Sequence, residues 1–194
     1  MIRLATPADA AGILAIYAPY IRETSFTFET EVPTEKAFAE RISNYLLRWP
    51  WLIWEVDGLI AGYAYAGLHR ERTAYQWSVE SSVYVHDNFQ GKGIARGLYK
   101  VLFEILKKQG IRNIYAVINL PNDKSVAFHE SCGFNYFATY EQVGYKLGEW
   151  KNVGWWRLTI NEFSDEPSPP QKFSETDQYF LPALFNKTGE LMKK

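Results

Sequence analysis

Residues 83–98 read Val-Tyr-Val-His-Asp-Asn-Phe-Gln-Gly-Lys-Gly-Ile-Ala-Arg-Gly-Leu, and this stretch decides the fold. It begins with the composition of a β-strand and continues into a glycine loop that starts at Gln90. Apolar residues then recur at the spacing of one buried helix face, namely Ile94, Leu98, Val101, Leu102, Ile105 and Leu106. The run ends at Gly110. The stretch therefore predicts a strand, a glycine turn and a long amphipathic helix.

The start of this helix is a candidate binding site for an anion. The first amides of a helix have no intrahelical partner, and the macrodipole adds partial positive charge there. Gly91 and Gly93 carry no Cβ that would keep a phosphate from the backbone, and Lys92 adds a full charge. The alternative is a tight turn that merely requires two glycines, and the loop alone does not decide between the two.

Length and composition indicate one globular domain without a nucleic-acid partner. The chain has 194 residues, of which 47% are hydrophobic and 16% aromatic, enough for a single full core. A formal net charge of -1 provides no field that would gather nucleic acid. The single cysteine, Cys132, excludes an intramolecular disulfide and a cysteine-based metal cluster, so we expect a buried thiol and no metal site.

The sequence contains no segment that would direct it to a membrane. The first residues lead directly into a helix-capping sequence, and no run approaches eighteen apolar residues. We therefore expect a cytoplasmic protein without a membrane partner.

Two helices precede the main sheet. Residues 2–5 predict an edge strand, and Thr6-Pro7-Ala8-Asp9 supplies the N-cap, first-turn proline and acid of a helix start. That helix buries one stripe of apolar and aromatic residues, Ile13, Ile16, Tyr17, Tyr20 and Ile21. A second helix starts at Thr34 and stops before Pro50.

The remainder of the first 160 residues is rich in strand signals. Asp57-Gly58 joins two apolar runs, as in a hairpin with a type I′ turn. Residues 75–85 alternate as a strand that places Glu80 on its more polar face. A buried strand over 113–118 leads to a helix capped by Asn122 or Asp123, and residues 134–160 predict two more strands. The count is about six or seven strands.

The end of the chain differs from the rest. Residues 164–172 form a proline-rich linker, so we divide the chain into a domain over residues 1–162 and a linker with a C-terminal tail over residues 163–194. Apolar residues at 179–185 make this tail either a docking segment or a disordered end.

The order of elements, together with Gln90-Gly91-Lys92-Gly93-Ile94-Ala95, resembles the GCN5-related N-acetyltransferase (GNAT) superfamily over residues 2 to about 160. The resemblance implies an α/β (α+β) fold, in which helices flank a mixed central sheet. It also implies acetyl-CoA as co-substrate, with its pantetheine held by the strand residues Val83, Tyr84 and Val85. The loop residues Gln90, Gly91, Lys92, Gly93, Ile94 and Ala95 would hold the pyrophosphate.

Three stretches are similar to one branch of that superfamily, the phosphinothricin and methionine sulfoximine N-acetyltransferases. They are Val79-Glu80-Ser81-Ser82-Val83-Tyr84-Val85, the segment Asn119-Leu120-Pro121-Asn122-Asp123 with Ser125 and His129-Glu130, and Gly144-Tyr145-Lys146-Leu147-Gly148-Glu149-Trp150. By this resemblance Glu80 and His129 are catalytic, and Asn122 and Ser125 contact the coenzyme. Arg70, Ser82 and the tail depart from the branch's pattern, which leaves the exact substrate open.

The chemistry of acetyl transfer suits these two residues. An amine must lose a proton before it attacks a thioester, and a carboxylate or an imidazole can accept that proton. The oxyanion needs an amide donor, for which the backbone near Val83 is the candidate, and the departing thiolate can take a proton from His129. Alone, Glu80 would be interpreted as a solvated charge at a strand edge and His129 as a structural residue, and we interpret the other histidines, His69 and His86, as surface residues.

The resemblance also implies a pocket for the amine substrate, formed by Phe28, Arg70, Arg72, Tyr75 and Ser82. An arginine fork binds a carboxylate or phosphinate in two-pronged fashion. A solvated charged loop over residues 69–72 is the alternative for Arg70.

We therefore expect an acetyl-CoA-dependent N-acetyltransferase that acts on the α-amino group of a small amino-acid analogue, such as phosphinothricin or methionine sulfoximine. Alternatives are another amine (a polyamine, an aminoglycoside or a protein N-terminus) or a non-catalytic acyl-CoA-binding module. The cluster of arginines disfavours cationic substrates. We expect a homodimer, because the branch resembles dimer formers and the aromatic C-terminal strands could pack across a two-fold axis.

Overall fold

A seven-stranded mixed sheet organises the computed structural model, which describes the backbone of residues 1–191 and the side chains of residues 1–189. The strands are β1 (Ile2–Leu4), β2 (Trp51–Val56), β3 (Leu59–Leu68), β4 (Ser78–Val85), β5 (Asn113–Leu120), β6 (Asn135–Lys146) and β7 (Glu149–Thr159). Their spatial order is β1-β2-β3-β4-β5-β7-β6, and only β4 and β5 pair in parallel.

Helices cover both faces of the sheet. They are α1 (Ala10–Glu23), α2 (Glu35–Leu46), α3 (Ile94–Lys108), α4 (Asp123–Ser131) and α5 (Leu181–Leu191). Apolar residues of α1 and α2 form one core with β2 and β3, and the buried face of α3 forms a second core on the other side. None of the helices in the described part of the chain combines the length and the hydropathy needed to cross a bilayer. The mixed, helix-flanked sheet expected from the sequence is confirmed.

Local signals explain where these elements start and turn. Asp57 and Gly58 both have positive φ, 50° and 78°, which is the backbone geometry of a type I′ turn. At the start of the chain, Asp9 Oδ2 accepts hydrogen bonds from the Thr6 amide at 2.7 Å and the Thr6 hydroxyl at 2.9 Å. Thr34 Oγ1 accepts from the Ala37 amide at 3.2 Å and so caps α2.

The sheet opens between β4 and β5. The two strands pair over three positions, Ser78 with Asn113, Val79 with Ile114 and Glu80 with Tyr115. Beyond this last pair both strands continue, β4 to Val85 and β5 to Leu120, without pairing to each other. We call this gap the β4–β5 opening, and Glu80 and Tyr115 mark its apex.

Two predicted boundaries are corrected. The strand expected from Tyr75 begins at Ser78, because residues 73–75 form a 3-10 turn whose alternating sequence resembles a strand. The strand expected to end at Ile118 continues to Leu120, because β5 pairs with β7 over its full length.

The tail docks on the rest of the chain. Residues 164–172 contain no helix or strand, as expected, and α5 follows them. Phe173 and Leu181 are only 2% and 4% exposed, and they pack into the same core as the buried face of α3. The apolar tail residues therefore form a docking segment and not a disordered end.

Candidate active site

A cavity of about 940 Å³ extends from the β4–β5 opening to the start of α3. The strands β4 and β5, the glycine loop and the first turns of α4 form its walls. The predicted site residues that line it are Ser82, Val83, Tyr84, Val85, Gln90, Gly91, Gly93, Ile94, Ala95, Asn122, Ser125 and His129. Among the described residues its lining does not include Glu80, Lys92, Phe28, Arg70, Arg72 or Tyr75.

The glycine loop at the mouth of the cavity has the backbone of an anion site. Gly91 and Gly93 adopt φ of 73° and 79°, in the left-handed region that residues with a Cβ rarely adopt. Gly93 is the N-cap of α3, so the first amides of that helix face the loop without intrahelical partners. Lys92 does not line the cavity, and its Nζ lies 5.0 Å from the centre of the ring of Phe89, which does. The backbone of Gly91 and Gly93, which borders the cavity, is therefore a candidate anion-binding surface.

Glu80 lies at the apex of the opening and has two basic neighbours. Its Oε1 is 3.0 Å from His69 Nδ1 and 3.6 Å from Arg70 Nη1. The glutamate side chain is 32% exposed, so a carboxylate oxygen remains accessible to a ligand.

The structure corrects the expectation that His69 is a surface residue. Its side chain is only 12% exposed and stacks on the Tyr115 ring, with centroids 4.4 Å apart and planes 16° apart. The antiparallel register of β3 and β4 is the cause, because Gly67 pairs with Glu80 and His69, two residues further along, lies on the same face of the sheet as that carboxylate. His86, the other histidine expected at the surface, is half-buried, and its Nδ1 accepts from the Asn88 amide at 3.2 Å.

His129 is buried between α3 and α4, and both of its ring nitrogens are engaged. Nδ1 lies 2.7 Å from the Ser125 carbonyl and Nε2 lies 3.0 Å from the Tyr99 hydroxyl. Since a carbonyl only accepts, Nδ1 carries the proton and Nε2 accepts from Tyr99. The Ser81 hydroxyl in turn donates to the Tyr99 oxygen at 3.2 Å. Burial lowers the pKa of His129, so the imidazole is neutral at pH 7.

Glu80 and His129 face the opening from opposite sides of the sheet. Ser81 points toward α3 and the histidine, and because side chains alternate along a strand, Glu80 points to the other face. No hydrogen bond joins Glu80 to His129 in the described part of the chain. A ligand that passes through the β4–β5 opening would meet one group on each side.

Apart from Ser82, which lines the cavity, the residues predicted to bind the amine fall into three places. Arg70 packs its guanidinium 5.4 Å from the Trp155 ring, and Tyr75 stands edge-on to His69. Arg72 is exposed and immediately precedes the 3-10 turn. Phe28 packs so closely on β6 that a Cβ at Gly144 would lie 2.4 Å from its ring. Arg70 and Tyr75 thus surround the Glu80 side of the opening, and Phe28 links the loop after α1 to β6.

Three further residues belong to this region, although the sequence assigns them no role in the site. Tyr99 holds His129, and its only sequence signal is its position beside Leu98 on the buried face of α3. Asn119, 6% exposed, lines the cavity and accepts a hydrogen bond from Ser25 at Oδ1, while its Nδ2 has no partner among the described residues. Lys146 donates to the Thr27 carbonyl at 2.7 Å, which fastens the loop after α1 to β6.

Taken together, the opened sheet and the glycine loop at a helix start, with a carboxylate and an imidazole on opposite faces of the opening, fit an acyltransferase that uses a coenzyme A thioester. A family model described as "Acetyltransferase (GNAT) domain" matches residues 2–155, and the chain belongs to this family of acetyltransferases. The resemblance noted in the sequence is confirmed.

Curated relatives and solved structures agree with this assignment. The chain is 41% identical to phosphinothricin N-acetyltransferase from Streptomyces viridochromogenes, over 88% of this chain and 91% of that protein. It is 35% identical to the L-methionine sulfoximine/L-methionine sulfone acetyltransferase of Salmonella typhimurium, over 83% and 95% of the two chains. A GNAT superfamily phosphinothricin acetyltransferase from Sinorhizobium meliloti, solved with AcCoA, superposes with a TM-score of 0.81 at 28% identity and covers 89% of this chain and 97% of its own.

Proposed function

We propose that this protein transfers the acetyl group of acetyl-CoA to the α-amino group of a small amino-acid analogue, with phosphinothricin and methionine sulfoximine as the first candidates. The names of the relatives support the substrate class. The observation that carries the proposal is the position of Glu80 at the apex of the β4–β5 opening, with the glycine loop at the far end of the same cavity.

Acetyl-CoA would lie along β4, with its pyrophosphate on the loop of Gln90, Gly91, Lys92, Gly93, Ile94 and Ala95. Val83, Tyr84 and Val85 would hold the pantetheine along the edge of β4 that does not pair with β3, and Asn122 and Ser125 would contact it from α4. Support comes from the fit of an extended ligand to the unpaired edge of β4 and from the anion-binding backbone of the loop.

Glu80 acts as the first proton acceptor in this proposal. An α-amino group arrives as an ammonium ion, which cannot attack a carbonyl until it loses one proton. Glu80 accepts that proton directly or through one water and passes it to solvent. The amide near Val83 donates to the oxyanion that forms on the thioester carbon.

His129 completes the transfer on the other side of the opening. After attack the nitrogen carries a surplus proton, while the carbon–sulfur bond breaks to give a thiolate. The neutral Nε2 of His129 gives up the hydrogen bond that it accepts from Tyr99, accepts this proton and delivers it to the sulfur. The products are the acetamide and free coenzyme A. The lowered pKa of His129 favours the neutral form that this shuttle needs.

The acidic end of the substrate would lie near Arg70, Arg72 and Tyr75, with Phe28 and Ser82 lining the pocket. Guanidinium groups bind carboxylates and phosphinates through paired hydrogen bonds. The guanidinium of Arg70 near Glu80 also repels a polyamine or an aminoglycoside, which is why an amino acid is the better candidate.

The test is release of free coenzyme A thiol from acetyl-CoA with a panel of amino acids, polyamines, aminoglycosides and N-terminal peptides. We expect turnover with phosphinothricin or methionine sulfoximine and a loss of roughly 10²- to 10⁴-fold in kcat for Glu80→Gln. Glu104→Gln, an exposed substitution on α3, is the control and should leave kcat unchanged.

Each other outcome favours a named alternative. Turnover only with cationic amines would show that the substrate is a polyamine or an aminoglycoside and not an amino-acid analogue. Calorimetric binding of acetyl-CoA without turnover on any amine would indicate a binding module. Full activity in Glu80→Gln would show that Glu80 is not the base.

We propose that the protein is a cytoplasmic homodimer whose active site lies within residues 1–162. The hairpin of β6 and β7 supports the dimer, because it exposes a group of large apolar side chains, Tyr136, Phe137, Tyr140, Val143, Tyr145, Leu147 and Trp150. Sedimentation equilibrium should give twice the chain mass, and Tyr145→Arg should shift it toward the monomer. Tyr179→Arg, at a 93% exposed residue of the tail, should not, and a monomeric parent protein would reject the dimer.

A further inference from the structure

His69 is held in one orientation by its surroundings. Its ring stacks on Tyr115 of β5 and meets Trp155 of β7 edge-on, with the ring centroids 5.9 Å apart. Tyr75 closes the third side at 6.1 Å. An imidazole packed against three aromatic rings loses little further freedom when it forms a hydrogen bond, so its bond to Glu80 is preorganised.

The direction of the bond between His69 and Glu80 follows from chemistry. An ionised carboxylate only accepts, so His69 Nδ1 carries the proton and donates to Oε1 at 3.0 Å. That contact fixes the rotation of the carboxylate about its last bond.

Arg70 competes for the same oxygen. Its Nη1 donates to the His69 carbonyl at 2.8 Å and lies 3.6 Å from Glu80 Oε1, just beyond hydrogen-bond distance. Without His69 the carboxylate is free to turn toward Arg70 and form a two-pronged ion pair, which would engage both of its oxygens. The other polar side chains near Glu80 include the phenols of Tyr45, Tyr75 and Tyr115.

We propose that His69 is a positioning residue for the acetyl transfer: its Nδ1–H holds Glu80 at the apex of the β4–β5 opening, so that Oε2 stays free to accept the proton of the amine. This inference rests on the proposed role of Glu80. It assigns to His69 an effect on kcat that acts only through that carboxylate.

Two substitutions separate the hydrogen bond from the packing. His69→Phe keeps a ring on Tyr115 but removes the donor, whereas His69→Asn keeps a donor near the position of Nδ1 and removes the ring. We expect His69→Phe to lower kcat roughly tenfold and to leave the KM for acetyl-CoA within about twofold. His69→Asn should retain kcat within about threefold of the wild type, because the contact to Glu80 is restored.

The double variant tests whether His69 acts through Glu80. In the Glu80→Gln background, His69→Phe should lower kcat by no more than about twofold, since the carboxylate that it would position is already absent. Effects that multiply in the double variant, a His69→Phe enzyme with full kcat, or equal losses in His69→Phe and His69→Asn would each overturn the inference.

A proton NMR spectrum provides a measurement that does not depend on turnover. The chain has three histidines, and an imidazole proton bound to a carboxylate resonates far downfield. That resonance should be present in the wild type and lost in both His69→Phe and Glu80→Gln, and its absence from the wild type would overturn the contact. A wild type that acetylates no amine would overturn the proposed function and, with it, the role of His69, whatever the spectrum shows. An active wild type with an unaffected His69→Phe variant would overturn this inference alone.

Discussion

At the scale of single residues, burial decides the protonation state of His129. The residue is 7% exposed, and desolvation lowers its pKa, while the hydrogen bond to the Ser125 carbonyl opposes part of that effect. In the unfolded chain the same imidazole is solvated and binds a proton near its ordinary value of about 6.5. The folded and unfolded states therefore differ in bound protons below neutral pH.

This difference predicts a pH dependence of stability. Between the lowered folded pKa and the ordinary value the unfolded state binds more protons, so the free energy of unfolding decreases as the pH falls below about 6.5. The contribution of His129 is fully present above that value and is lost as the pH falls through the folded pKa. The decrease in Tm from about pH 7.5 to pH 5.5 should be smaller in His129→Gln than in the wild type.

The half-buried His86 supplies the control for this measurement. His86→Gln removes an imidazole that is only half-buried, so it serves as the comparison for the effect of deep burial on the pH dependence of Tm. An identical change of Tm with pH in the wild type and in His129→Gln would contradict the conclusion that burial lowers the pKa of His129.

At this scale the sequence predicts site residues that lie in a recognisable motif. It misses residues whose role depends on contact with a residue that is distant in sequence. Glu80 and His129 could be selected because each is part of a stretch typical of the branch. His69 could not, because its contact with Glu80 depends on the β3–β4 register and on the Tyr115 ring. Tyr99 was missed for the same reason, since helical spacing marks it as buried but not as the partner of an imidazole.

At the scale of elements, one glycine sets the distance between α3 and the sheet. A Cβ at Gly97 would lie 2.3 Å from Cζ3 of Trp54 on β2, a distance that no packed pair of carbons adopts. Trp54 is itself 8% exposed and cannot swing into solvent without leaving the core. Since α3 begins at the glycine loop, this contact also helps to place the anion-binding amides.

Gly97→Ala should therefore destabilise the protein although alanine favours helix. We expect a loss of about 1–3 kcal/mol from overpacking, against roughly 1 kcal/mol gained from helix propensity. Gly12→Ala in α1 is the matched comparison, because its new Cβ would meet only the flexible end of the Ile60 side chain, at 2.9 Å. Chemical denaturation should show a lower unfolding free energy for Gly97→Ala and little change for Gly12→Ala; equal effects would contradict the packing explanation.

The sequence predicts most elements because their signals are local. The Asp57-Gly58 turn, the Thr34 cap and the period of α3 each depend on residues that are close in sequence. The start of β4 was placed three residues early because alternation alone does not distinguish a strand from the 3-10 turn over residues 73–75. The sequence does not predict the β4–β5 opening either, because local patterns do not show where two neighbouring strands stop pairing.

At the scale of the whole molecule, the tail contributes to the core of the domain that it follows. Phe173 and Leu181 lie within the buried cluster of α3, whereas Tyr179 between them is 93% exposed. The sequence left docking and disorder open, because a short apolar segment has both outcomes until its partner surface is known. Here that surface is formed by α3 and β1, which α5 contacts.

Removing one tail anchor should lower stability without altering the chemistry. Phe173→Ala should cost about 3–5 kcal/mol of unfolding free energy, in line with other buried phenylalanines. The kcat of the folded enzyme should stay near the wild-type value, because every proposed site residue precedes residue 163. Tyr179→Ala is the control and should leave Tm unchanged, and a similar Tm for both variants would show that the tail does not support the fold.

The β4–β5 opening gives the protein two strand edges in the interior of its own sheet. Along Ser81 to Val85, amides that point toward β5 have no strand partner, so they should exchange with deuterium as quickly as those of an outer strand. A bound coenzyme would act as the missing strand and slow that exchange, while the amides that face β3 stay protected in both states. Recognition by such an edge depends on the backbone, so it makes no direct use of the side chains of residues 83–85, which pack in the two cores instead.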